Sequence, residues 1–140
     1  MSAGLTLEAL FEAVHDEYRA RATYTRIIDR FGPVRPFVNI VEAESRHIAA
    51  LLRQFQRLGA APPTDTWQGR VCAPASLAQA CADGVQAEIE NEAMYARLLE
   101  QVDDPEVRRV MERLQAASRE RQAFRRVVQR YAGSISGAPR

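Results

Sequence analysis

The sequence predicts an all-α fold: four long helices in a bundle, with two short connections and one long crossover. Three observations predict it. Apolar residues recur at helical spacing through most of the 140 residues, and β-type alternation is scarce. Proline, glycine and capping residues punctuate the pattern at three places. The middle spacer is far longer than the other two. The length is that of one domain, long enough to bury a core without disulfide staples. The bundle is expected over residues 1–132 and a flexible C-terminal tail over 133–140.

The first helix is expected from about Leu7 to Arg30, with Leu7, Leu10, Val14, Tyr24 and Ile28 near one face, and Phe31-Gly32-Pro33 stops it. A second, about Val34 to Leu58, carries Phe37, Ile40, Val41, Ile48, Leu51 and Phe55 at helical spacing before Gly59. Ala60 to Ala75 is rich in proline and turn residues and reads as an irregular connection. Ser76 caps the third helix, with Gln79 placed to complete a capping box, and that helix runs to about Val102. Asp104-Pro105 supplies a cap and a first-turn proline for the fourth, to about Tyr131. Helices of about 24 residues are roughly 36 Å long. The short connections make antiparallel hairpins of the first and last pairs. The middle connection, roughly 16 residues, spans about 53 Å when extended, enough to travel the bundle length and join parallel neighbours.

An internal repeat supports two related hairpins about a pseudo-twofold axis. At an offset of 71 the third helix falls on the first: Glu17 on Glu88, Ala22 on Ala93, Tyr24 on Tyr95, Arg26 on Arg97, Ile27-Ile28 on Leu98-Leu99. At an offset of 73 the fourth falls on the second: Ala43 on Ala116, Ser45-Arg46 on Ser118-Arg119, Ala50 on Ala123.

The informative residues are polar ones among apolar neighbours. Glu17 stands between Val14 and Tyr24, and Glu88 between Val85 and Tyr95. Glu44 and His47 form Glu-x-x-His inside the apolar stripe of the second helix, on one face and able to converge. Glu120 occupies the repeat position of His47. Carboxylates on the inner face of a bundle carry a desolvation penalty of several kcal/mol as an order of magnitude, and would repel one another. A metal ion removes that problem. Glutamate with histidine suits iron, manganese or zinc, and one Glu from each of two helices plus Glu-x-x-His motifs from the others is the pattern of dimetal carboxylate bundles.

Asp16-Glu17-Tyr18, the run from Phe31 to Ile40, and Ala43-Glu44-Ser45-Arg46-His47-Ile48 together resemble a little-characterised bacterial ferritin-like family of the rubrerythrin–ferritin superfamily. Ala87 to Asn91, Met94-Tyr95 and Ala123-Phe124 resemble its second half. The resemblance covers nearly the whole chain and implies a ferritin-like four-helix bundle around a non-haem metal centre. Its ligands would be Glu17, Glu44, His47, Glu88 and Glu120, holding iron as one or two ions, with manganese or zinc the other metals this donor set suits. The departure lies in the last helix: the repeat puts Ala117 where Glu44 stands and Glu120 where the family pattern has histidine. The expected activity is that of an oxidoreductase, with oxygen, peroxide or ferrous iron as reactant. No rubredoxin-type cysteine set is present, so electrons would come from a partner or from ferrous ion. The rival expectation, which Ala117 favours, is a degenerate bundle acting as a non-catalytic interaction or structural module. A redox-inert metal such as zinc, stiffening the bundle, is the third.

Tyr24 and Tyr95, seven residues past Glu17 and Glu88, are placed to hydrogen-bond ligand carboxylates or simply to pack. Arg21 and Glu92 correspond in the repeat and either pair across the bundle or stay solvated. His15 reads as surface. Trp67 and Cys72 in the crossover either line an entrance or anchor the loop.

Composition excludes several function classes. Every one of the 19 basic residues is arginine, which rules out Schiff-base and lysine general-base chemistry. The net charge of +1 rules out global electrostatic capture of nucleic acid or membrane. The fourth helix has eight arginines against three glutamates, but so evenly scattered that nucleic acid is not the expected partner. No stretch approaches the roughly 18 apolar residues of a membrane span, and Met1–Leu10 lacks the pattern of a signal peptide, so a cytoplasmic protein is expected. Cys72 and Cys81 are too few and too oddly spaced for a zinc cluster; two free thiols are expected, a disulfide being the alternative. Dimers are common among such bundles, so a homodimer enters the expectations, with no surface assigned to it.

Overall fold

In a computed structural model of the chain, residues 2–123 are described, with side chains over 4–120. The described residues form four helices and no strand: α1 (Ser2–Phe31), α2 (Phe37–Arg57), α3 (Leu77–Leu99) and α4 (Pro105–Ala123). The expected end of the fourth helix near Tyr131, and the tail from Gly133 to Arg140, lie outside the described residues.

Local chemistry sets the boundaries. α1 starts earlier than its apolar stripe, at Ser2. It stops where Gly32 takes φ 92°, a left-handed conformation open to glycine, and its amide closes onto Ile28 O at 2.8 Å. Pro33 and Pro36 delay the second helix from Val34 to Phe37, because proline disfavours helical backbone in the residue before it. At the other end Gly59 (φ 70°) donates to Gln56 O and Ala60 to Phe55 O, capping α2. Ser76 caps α3 as expected, its hydroxyl accepting from the Gln79 amide at 3.1 Å. The reciprocal half of the capping box is missing, because the Gln79 side chain donates to Asp83 instead. α3 ends three residues short of Val102. There the Glu100 and Gln101 amides fold back onto Arg97 O and Leu98 O, and the Arg108 guanidinium takes up the carbonyls of Leu99 and Val102. Asp104 caps α4, its carboxylate accepting from the amides of Glu106 (3.1 Å) and Val107 (3.0 Å).

α1 packs chiefly on α2 and α3 on α4, and the two pairs meet through α1–α3 and α2–α4. Pairings run in opposite order along the partners: Arg108 bonds to Leu99 and Ser118 to Asn91, while Glu12 meets Arg97 and Asp16 meets Asn91. The apolar interior has two parts. The larger draws Leu10, Val14, Leu51, Phe55, Leu98 and Met111 from all four helices. The smaller joins Tyr24, Ile27, Phe37, Ala80 and Cys81. Between them, on α1, α2 and α3, lie Glu17, Glu44 and Glu88, so the bundle carries a polar layer between two apolar ones.

The connection after α2 follows α1. Tyr18 donates to Pro63 O at 3.0 Å, Arg21 pairs with Asp65 at 3.1 Å, and Arg19 lies over the Trp67 ring. Trp67 packs on the larger core, so it anchors the loop. Cys72 is exposed and Cys81 buried, both free; burial pushes the Cys81 thiol up and keeps it neutral. No helix among the described residues is long and apolar enough to cross a membrane.

The Asp104 cap generates a prediction. The Val107 amide, then Arg57 and the Glu106 amide, hold its carboxyl below the usual range. A depressed folded pKa contributes stability above the unfolded value, lost as pH falls through the folded one. Asp104→Ala should therefore cost about 1 kcal/mol in urea unfolding at pH 7. The gap from wild type should close as pH drops below about 4; a constant gap would assign the effect to packing.

Candidate metal centre

Glu17 is carried inward by the α1 stripe that buries Val14 and Tyr18, and is 1% exposed. Glu44 and His47, three residues apart on α2, turn to the same face; Glu44 is 3% exposed and the His47 side chain 12%. His47 Nδ1 lies 3.5 Å from Glu17 Oε2 and 3.8 Å from Glu44 Oε2. Each residue offers one donor atom, and the three atoms lie within 4.8 Å of one another. No other group of three such residues assembles among the described side chains.

These separations exceed a hydrogen bond. They come close to what a shared ion imposes, since two donors about 2.1 Å from one metal at ordinary angles sit about 3.0–3.5 Å apart. Two anionic oxygens and one imidazole are also a chemically suitable donor set for a first-row divalent ion. The three residues could therefore hold a metal ion.

The neighbours of Glu17 fix which oxygen faces His47. Tyr95, fully buried on α3, donates its hydroxyl to Glu17 Oε1 at 2.8 Å. Burial, and then the charge of Glu17 with further contributions from Glu44 and Asp16, raises the Tyr95 pKa well above its ordinary value. Tyr95 is thus a donor at any physiological pH. Asn91 adds a longer contact to the same oxygen at 3.4 Å and binds Asp16 at 2.9 Å, and its own carbonyl accepts from Ser118 of α4. Oε1 is held from α3, and Oε2 is left turned toward α2.

The remaining expected residues fall elsewhere. Glu88 is buried, 6% exposed, but outside the group of three. It lines a mostly apolar cavity of about 270 Å³ with Tyr24, Phe37, Ile40 and Cys81. Glu120 is exposed and is not brought to the centre. The reason is a rotation of α4. Its buried residues are Val107, Val110, Met111, Leu114 and Ser118, so the inward position is Ser118 and not Ala117, the repeat partner of buried Glu44. Glu120 lies two residues past Ser118, about 200° around the helix. Tyr24 is buried beside Gly84 and Phe37. His15 is half-buried, its ring 4.6 Å from that of Phe11 and tilted to it by 52°. Arg21 and Glu92 do not meet: Arg21 binds Asp65 and Ser45, and Glu92 pairs with Arg119 at 2.7 Å. Asn91 was not singled out by the sequence reading. Its signal was its place three residues after Glu88, on the same face.

Fold and site define an all-α four-helix protein with a buried Glu/His group that could hold a metal ion. No protein-family model and no curated protein matches the chain. Among solved structures it resembles the crystal structure of hypothetical protein MJ0754 from Methanococcus jannaschii DSM 2661, with a TM-score of 0.79 and 22% sequence identity, covering 89% of this chain and 79% of that one. At that identity the likeness shows a shared fold.

Tyr95→Phe tests the centre's support. Hydrogen bonds to charged groups contribute about 1.5–3 kcal/mol, so the variant should lose that much in chemical denaturation. A loss under about 0.5 kcal/mol would mean that Glu17 does not depend on this hydroxyl.

Proposed function

We propose that the protein is a ferritin-like bundle of two antiparallel hairpins joined by a crossover, and that it binds a non-haem metal ion, iron in preference to manganese or zinc, between Glu17, Glu44 and His47. The observation that carries this reading is the convergence of those three donors in a layer closed by apolar clusters on both sides. The reversed order of pairings between α1 and α2 and between α3 and α4 supports the two hairpins, and that between α1 and α3 supports the crossover. Glu88, buried on the third helix, is the additional carboxylate of this reading.

Each residue has a part that follows from its surroundings. Glu17 and Glu44 supply negative charge, and His47 supplies a neutral nitrogen when it holds a metal. Tyr95 and Asn91 fix one oxygen of Glu17 and so aim the other. The apolar clusters exclude bulk water, which strengthens every charge interaction in the layer. Bound iron would supply electron exchange with oxygen, peroxide or ferrous ion, the oxidoreductase chemistry we infer for this centre.

The test is stability against metal. A ligand that binds only the folded state at one hundred times its dissociation constant stabilises by about 2.7 kcal/mol. Anaerobic Fe(II), or Mn(II) or Zn(II) in separate titrations, should raise the melting temperature of the wild type but not of Glu44→Gln or His47→Ala. A wild type indifferent to all three would leave the bundle as a structural module. Oxygen uptake on adding Fe(II) then separates a reactive centre from an inert one.

A further inference from the structure

The α2–α4 face holds a cleft of about 490 Å³, within the size range of small-molecule sites. Buried Val110 and Leu114 and half-buried Ala50 and His47 form its inner wall. Four exposed arginines, Arg46, Arg53, Arg57 and Arg113, line it against a single acidic residue, Glu106. That carboxylate is already committed: Arg57 binds Glu106 and Asp104, and also donates to Gln54. Arg46, Arg53 and Arg113 make no ion pair or hydrogen bond with any described residue.

The arrangement is not a generic feature of an arginine-rich chain. Elsewhere among the described residues Arg19, Arg21, Arg97 and Arg119 meet acids, while Arg26, Arg30, Arg35, Arg70 and Arg109 do not; what sets the cleft apart is that three arginines without an acid partner line one cavity. Arg46 and Arg53, seven residues apart, sit on one face of α2 about 10.5 Å apart. Arg113 lines the same cleft from α4.

We propose that this cleft is an oxyanion site, which takes the phosphate group of a small metabolite between Arg46, Arg53 and Arg113. Guanidinium is the side chain best matched to such a group, because its planar fork gives two parallel charge-assisted hydrogen bonds to one anion. Like charges facing one another raise the local potential, and a dianion relieves it. The apolar inner wall gives the ligand's organic part a surface to cover. The site stands on the guanidiniums alone and does not depend on the metal reading.

The experiment is calorimetric titration of the full chain, treated with chelator, at low ionic strength, using inorganic phosphate and glucose 6-phosphate as probes. Saturable binding of one anion per chain is expected, weakened at least tenfold in Arg53→Gln/Arg113→Gln, or about 1.4 kcal/mol. Arg109→Gln, an exposed arginine of α4 outside the cleft, should leave it unchanged. Tighter binding of the sugar phosphate would assign a phosphate monoester, and equal binding the free ion; both support the site. No saturable binding, or the same loss in Arg109→Gln, overturns it. A second readout uses the wild type alone: phosphate should slow phenylglyoxal modification of Arg46, Arg53 and Arg113 but not of Arg109. Equal rates at all four would also overturn it. Because the protein is stripped of metal throughout, failure here leaves the Glu17/Glu44/His47 centre untouched.

Discussion

Taking a carboxylate out of water costs several kcal/mol unless its charge is met, and this chain takes Glu17, Glu44 and Glu88 into the middle of a helical bundle. Much of the structure answers to that constraint. Tyr95 and Asn91 reach from α3 to α1, His47 reaches from α2 to the same carboxylate, and Ser118 ties α4 to Asn91. Apolar packing alone tolerates small shifts of one helix along another. Hydrogen bonds between named atoms do not, so the polar layer fixes the register of the helices around it. The apolar clusters on either side keep water out and raise the cost of leaving any of these groups unmatched. A divalent cation is the counter-charge that two carboxylate oxygens and an imidazole nitrogen at such spacing can share.

The parts of this arrangement that depend on local chemistry were legible in the sequence. Helical periodicity, the caps at Ser76 and Asp104 and the stops at Gly32 and Gly59 act within a few residues, and the helices formed where those signals stood. Glu17, Glu44 and His47 could be seen to converge because each interrupts an apolar stripe whose direction is known. Tyr95 was legible through its fixed spacing from Glu88 and the repeat. That Glu120 is exposed is not legible from the repeat, because the buried residues of α4, Val107, Val110, Met111, Leu114 and Ser118, bring Ser118 and not Ala117 to the level of Glu44. The partners of Arg21 and Glu92 were not legible, because they depend on where the crossover lays Asp65 and on which helix faces Glu92.

The two helix pairs carry similar residues at repeated positions in the sequence but differ in chemistry. The first half keeps Glu-x-x-His on α2 and turns it toward Glu17. The second half puts alanine and an exposed glutamate at the matching positions of α4, and uses Ser118 to hold Asn91. On the outer faces Arg119 is neutralised by Glu92, whereas Arg46 lines a cleft with Arg53 and Arg113. That cleft, drawn from α2 and α4, sets positive charge beside the imidazole of His47.

Elemental analysis of protein purified without affinity metals, comparing wild type with the Glu44→Ala/His47→Ala variant, tests the central claim most directly. A single donor triad predicts about one first-row metal ion per chain in the wild type and none in the variant. Equal metal in both proteins, or none in the wild type after anaerobic reconstitution with Fe(II), would contradict it. The layer would then be a network of buried hydrogen bonds and polar contacts alone.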